Sequence, residues 1–152
     1  MTDSRIDALF KAKTREDGDC LIWTGAQIKG YGALHHQRRV VYAHRVAWER
    51  EHGPIPEGMH VDHVCHTPAC VNPDHLRIAT PSQNIGHRSG AQTNSESGVR
   101  GVSWDASRNK WVAQVRAGGK DVLRRRYATL AAAAQAVAEA RAEAFGDYAG
   151  NN

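Results

Sequence analysis

The run HVDHVCHTPACVNPDHL, residues 60–76, places four histidines, two cysteines and two aspartates in seventeen positions, with Pro68 and Pro73 among them. So dense a set of metal-capable side chains constrains the backbone more than any apolar pattern elsewhere in the chain. Cys65, Cys70 and His75 follow one another with four residues between each pair. A structural zinc takes four such sulfur or imidazole ligands in a tetrahedron. Cys20, at the start of a predicted strand, can complete the set. His66 is the local competitor, but it adjoins Cys65 and would strain a compact tetrahedron. A zinc there would supply folding energy that a small module cannot draw from its core alone. The bland alternative is that the cysteines are buried apolar filler and His75 a surface residue.

A second kind of site overlaps the first. Asp62 and His63 immediately precede the cysteine loop, and Asn84 lies twenty-two residues after Asp62, near a predicted helix start. A hard divalent ion such as Mg2+ or Mn2+ prefers oxygen ligands, which the Asp62 carboxylate and the Asn84 amide offer. His63 alongside can take a proton from water at neutral pH. Together they make the parts of phosphodiester hydrolysis.

Residues 20–88 resemble the HNH nuclease superfamily with its ββα-metal core, in particular its zinc-bearing phage and homing branch. The matching pieces are Cys20…Trp23-Thr24-Gly25, Gly30-Tyr31-Gly32, Ala43-His44-Arg45, His60-Val61-Asp62-His63-x-Cys65, Cys70-Val71-Asn72-Pro73-x-His75-Leu76 and Thr80-x-x-x-Asn84. The resemblance implies a metal-dependent DNA endonuclease. Its catalytic set would be His63 as general base, Asp62 and Asn84 on the divalent ion, and Asn72 tightening the loop. Cys20, Cys65, Cys70 and His75 would hold the structural zinc. His44-Arg45 has two readings, a phosphate contact or a cap or surface pair. His35, His36, His52 and His87 are expected on the surface.

The second half of the chain has a different character. Between Gly98 and Tyr127 stand eight basic residues against Asp105 and Asp121, within a chain of formal net charge +4. Three strand-like pieces, 99–105, 110–117 and 122–127, precede an Ala-rich helix between a Thr129 cap and Gly146. Val99-Arg100-Gly101-Val102, Lys110-Trp111-Val112-Ala113 and Val115-Arg116 resemble the DNA-binding domain of plant APETALA-type (ethylene-response) factors, over residues 98–149. Alternation along the middle strand puts Gln114 and Arg116 opposite the apolar set, on a face able to enter a DNA groove. Arg100, Lys110 and Arg125 are the expected companions. Trp104 either packs in the core or lies along the sugar-phosphate backbone. Arg124-Arg125-Arg126 departs from that family's pattern.

The expected fold class is therefore α+β: a small zinc-stapled ββα-metal nuclease core, then a three-stranded antiparallel sheet packed on one helix. The expected boundaries are 1–88 for the nuclease, 89–97 for a linker and 98–149 for the sheet domain. The expected activity is hydrolysis of a phosphodiester in duplex DNA by a homing or phage-type nicking enzyme, with double-stranded DNA as partner. A monomer is expected, with a homodimer as the alternative. No apolar run reaches membrane length and the N-terminus lacks a signal peptide's apolar core, so the expected location is the cytoplasm of a bacterial or phage-infected cell. The rivals are a non-catalytic zinc-containing DNA-binding regulator and a nuclease acting on RNA.

Overall fold

The computed structural model describes residues 4–36, 38–88 and 90–150, and divides at Ala79–Thr80 into two compact units. That division falls at the end of a strand, well before the polar stretch 89–97. No helix among the described residues is long and apolar enough to cross a membrane.

The first unit opens with helix α1 (Ser4–Lys13), which buries Ile6 and Phe10, four residues apart and so on one face. Strands β1 (Thr14–Asp17) and β2 (Cys20–Trp23) form a hairpin, and β3 (Gln27–Ile28), β4 (Tyr31–His36) and β5 (Arg39–Tyr42) an antiparallel three-stranded sheet. Helix α2 (Ala43–His52) follows β5 without a loop. It stops at Gly53, whose φ of 86° suits a residue lacking Cβ. Strands β6 (His60–His63) and β7 (Leu76–Ala79) then pair antiparallel, with Asp62 opposite Arg77 and His63 opposite Leu76. The loop between them ends in a 3-10 turn, Pro73–His75.

Trp23, only 2% exposed, anchors the core of this unit among Phe10, Leu34, Val46, Val61, Val71 and Leu76. The Phe10 ring meets it edge-on at 5.2 Å, a favoured aromatic geometry. Gly32 lies so close that a Cβ there would stand 2.7 Å from the indole Cγ. Gly32→Ala is therefore expected to destabilise the unit by about 1–3 kcal/mol through overpacking. A lowered denaturation midpoint at unchanged slope would show it, and an unchanged midpoint would refute it.

The second unit begins with helix α3 (Pro81–Gly86). The Thr80 hydroxyl accepts from the Gln83 amide N at 3.2 Å, and Gln83 Oε1 accepts from the Thr80 N at 2.9 Å. This reciprocal pair satisfies two otherwise orphaned donors. Strands β8 (Val102–Asp105), β9 (Lys110–Ala117) and β10 (Lys120–Tyr127) form an antiparallel sheet in the order β10-β9-β8. Helix α4 (Leu130–Phe145), capped by Thr129, packs on it through the small and fully buried Ala133 and Val137. The α+β class, with a three-stranded sheet against one long helix, is as expected.

Two cations brace this unit. Arg141, 6% exposed, donates from Nη2 to the carbonyls of Gly86 at 2.6 Å and Ala149 at 3.2 Å. Arg100 donates to the carbonyls of Ile85, Gly86 and Arg88, so both guanidinium groups terminate α3. Burial, then the neighbouring Arg141 and Arg88, lowers the Arg100 pKa to about 10, which leaves it charged at neutral pH. Arg141→Ala strips a charged donor from two carbonyls and should cost about 1–3 kcal/mol. Faster amide exchange across α3 and the segment 146–150 would register the loss. His87, expected on the surface, is instead buried at 6% exposure.

Candidate active site and metal centre

The zinc-type ligands converge because the β6–β7 loop docks on β2. Ile22 and Cys70 form a β-bridge, Trp23 N donates to Ala69 O at 2.8 Å, and Val71 N donates to Leu21 O at 2.7 Å. That pairing carries Cys20 to Cys65, Cys70 and His75, whose ligand atoms with its own all lie within 4.8 Å of one another. His75 Nδ1 stands 3.5 Å from Cys20 Sγ and 3.7 Å from Cys70 Sγ. Ligands at ordinary zinc distances in a tetrahedron stand ~3.6 Å apart, so the set fits zinc. Cys20, and not His66, is the fourth member of the cluster. Burial pushes the Cys70 thiol up to about 12.

Asn72 holds the same loop from outside the cluster. Its Nδ2 donates to Asp19 O at 2.9 Å, and its Oδ1 accepts from Asp74 N at 3.1 Å. Both ends of the amide are thus occupied in tying the loop to the β1–β2 turn and capping the 3-10 turn.

Asp62 and His63 stand side by side at the end of β6, both buried. The Asp62 carboxylate accepts from its cross-strand neighbour, with Arg77 Nε 3.0 Å from Oδ2. His63 Nε2 lies 3.0 Å from the carbonyl of Cys70. A carbonyl only accepts, so Nε2 carries the proton and Nδ1 keeps the lone pair. Burial lowers the His63 pKa, against the raising effects of the Cys70 hydrogen bond and the Asp62 charge. A neutral imidazole with its tautomer set by the protein backbone is the form a proton acceptor needs. Asn84 belongs to the second unit, half-buried on α3.

An aromatic cluster surrounds the His63 ring. His44, the second residue of α2, is 7% exposed, and its ring centroid lies 4.7 Å from that of His63. This overturns the reading of His44 as a cap or surface residue. Tyr31 lies 5.8 Å from His63 and 5.6 Å from His44, while Tyr42 stacks on His44 at 5.7 Å. Burial first, then His63 and Arg45, lowers the His44 pKa to about 3. Nothing in the spacing of Tyr31, Tyr42 and His44 announces this cluster; β4, β5 and α2 bring it together.

In the second unit, Lys110, Gln114 and Arg116 share one face of the sheet, away from the apolar set Ala113 and Val115. A bulge between Asp121 and Leu123 changes what β10 adds to that face. Arg124 pairs with Gln114 and Arg126 with Val112, so these two share the face. Arg125 is opposite Ala113, on the side turned to α4. Gln114 Nε2 donates to Asp121 at 2.9 Å, while Arg116 and Arg124 pair with Asp121 and Arg126 with Asp105. Exposed ion pairs of this kind hold their cations weakly. Arg100, expected among the DNA contacts, has its guanidinium at the end of α3. Trp104 is partly buried, its ring 4.8 Å from that of Trp111 across the strand pair.

Residues 41–85, which include His44, Asp62, His63, Asn84 and all the zinc-type ligands except Cys20, match the family model described as HNH endonuclease. The chain is also similar to three proteins of Escherichia phage T7. It is 42% identical to Protein 7.7 over 67 residues, 43% of this chain and 52% of that protein. With Protein 3.8 it shares 38% identity over 77 residues, 51% of this chain and 63% of the relative. With Protein 2.8 the identity is 43% over 83 residues, 53% and 55% of the two chains. The chain thus spans between half and two-thirds of the length of these relatives. No solved structure matches it.

Proposed function

We propose that this chain is a zinc-stapled, metal-dependent DNA endonuclease of the homing or phage nicking type. The observation that carries the reading is His63, neutral, buried beside the Asp62 carboxylate and held by the Cys70 carbonyl within the HNH-matching segment. In this reading His63 Nδ1 takes a proton from water as its oxygen attacks phosphorus. The P–O3′ bond breaks, the leaving oxygen is protonated from solvent, and 3′-hydroxyl and 5′-phosphate ends remain. A Mg2+ or Mn2+ ion held by Asp62 and Asn84 would supply Lewis-acid stabilisation of the developing negative charge. Arg77, donating to Asp62, orients that carboxylate. Zinc on Cys20, Cys65, Cys70 and His75 would fix the loop whose Cys70 carbonyl orients the base.

The sheet of the second unit is the DNA-holding surface in this reading, in the manner its resemblance to APETALA-type domains implies. Lys110, Gln114, Arg116, Arg124 and Arg126 on one face support it, because arginine and glutamine are suited to guanine and adenine edges and all the cations to phosphate. One active site per chain implies a nick by a monomer. Incubation of supercoiled plasmid with Mg2+ or Mn2+, beside His63→Ala, tests the whole proposal. DNA bound equally well and left intact by both proteins would instead favour a zinc-containing DNA-binding regulator, and cleavage confined to RNA would favour an RNA-processing enzyme.

A further inference from the structure

One hydrogen bond, from Nε2 to the Cys70 carbonyl, does not by itself fix the plane of the His63 ring, because the outer side-chain torsion of histidine has a broad minimum. Two neighbouring rings supply the missing restraint. His44 lies 4.7 Å away at an interplanar angle of 57°, and Tyr31 lies 5.8 Å away at 47°. His44 is clamped in turn, with Tyr42 stacked at 29° and Tyr31 tilted at 49°. Its Nδ1 is buried and has no hydrogen-bond partner among the described residues. The contacts that His44 makes with Tyr31, Tyr42 and His63 are made by its flat ring. Placement in the first turn of α2, directly after β5, fixes the backbone beneath it.

We propose that His44 is a positioning residue for the endonuclease: its ring is the wall against which His63 rests, keeping Nδ1 of His63 directed at the attacking water. The proposal rests on the reading of His63 as general base. Without the wall, the His63 ring swings off the Cys70 carbonyl, and once that hydrogen bond is broken it samples both tautomers. A base misplaced by about 1 Å loses on the order of a hundredfold in rate. Binding of DNA, which does not use this contact, stays unchanged.

The test pairs a spectrum with a rate, on the full zinc-loaded chain. Nitrogen-15 NMR of the imidazoles reads the His63 tautomer, and supercoiled plasmid nicking with enzyme in excess and Mg2+ reads the chemical step. In His44→Ala, the single Nε2–H signature of His63 should give way to a mixture, and nicking should slow about a hundredfold at unchanged plasmid retention. His44→Phe restores a ring and should recover the single tautomer and most of the rate. Should His44→Ala fail to hold zinc, His44→Leu, which fills the space without a ring, replaces it. Wild-type tautomer and rate in the ringless variant overturn the proposal. So does a His44→Phe protein as slow as His44→Ala, since a ring nitrogen would then be what the site uses. A wild-type chain that cleaves nothing, yet shows the tautomer change in His44→Ala, sinks the endonuclease reading alone and leaves the ring contact standing.

Discussion

Cys70→Ser protein will fail to bind zinc and will lose the folded first unit, and stripping the wild-type chain with a strong chelator will do the same. The core of that unit is a short set of buried side chains around Trp23, and the twelve-residue connection between β6 and β7 has little regular structure of its own. Three of the four cluster residues lie in that connection, and Cys20 reaches them from β2. A structural zinc of this kind contributes on the order of 10 kcal/mol to folding, as much as the whole net stability of an ordinary small domain, about 5–15 kcal/mol. Loss of near-ultraviolet circular dichroism from Trp23, with recovery when zinc is returned to the chelated wild type, is the expected result. The second unit should remain folded, because Val102, Ala113, Val115, Val137 and Phe145 form its core without any cluster ligand. One equivalent of zinc and an unchanged melting curve in Cys70→Ser would remove the cluster from the account. A Cys20→Ser chain that keeps full zinc affinity would transfer the fourth ligand to His66.

His63→Ala should abolish cleavage while sparing everything else. A positioned general base contributes about 10²–10⁴-fold to rate, and no other side chain is proposed to take the proton. Plasmid nicking with Mg2+ should therefore fall by at least about a hundredfold. Zinc content, circular dichroism and plasmid retention should stay at wild-type levels, since the imidazole supplies no cluster ligand, bonding the Cys70 carbonyl rather than a sulfur, and lies outside the sheet of the second unit. Asp62→Ala should be as slow, and raising the divalent ion concentration should not rescue it. Full cleavage by His63→Ala would dismiss this residue as the base.

Several sequence expectations have direct counterparts in the structure, and the reasons are local. The Ala-rich helix runs between its Thr129 cap and Gly146 as expected, because the Thr129 hydroxyl accepts from the Ala132 amide. The helix start predicted near Asn84 is a complete capping box at Thr80. The middle strand of the second unit runs Lys110–Ala117 as expected. In each case the cause lies within a few residues of its effect.

Where the structure departs from the sequence reading, the cause is distant in the chain or is a single irregularity. Simple alternation along the third strand would put Arg125 on the face of Gln114 and Arg116. The bulge at Asp121/Leu123 inserts one residue, and a one-residue slip reverses every later side chain. Arg124 and Arg126 take that face instead. Arg100 reads as a strand cation in a basic run, yet its guanidinium meets carbonyls at the end of α3, fourteen residues before it in the case of Gly86. His44 reads as one of a polar pair ahead of a helix, and only the closing of β4, β5 and α2 around it brings its ring against His63.

The sequence by itself determined the kinds of chemistry available. Sulfur and imidazole at loop spacing are compatible with a zinc-type site, while an adjacent Asp-His pair offers a carboxylate beside an imidazole. These are properties of residue type and short spacing, which the chain carries before it folds. Only the tertiary structure decided which residues meet. It brought Cys20 rather than His66 to the cluster through the pairing of β2 with the Cys70 loop. It also set the proton on Nε2 of His63 through a backbone carbonyl seven residues away. Contacts between distant segments depend on strand register and loop docking, and those are fixed by the burial of the core as a whole rather than by any stretch read alone.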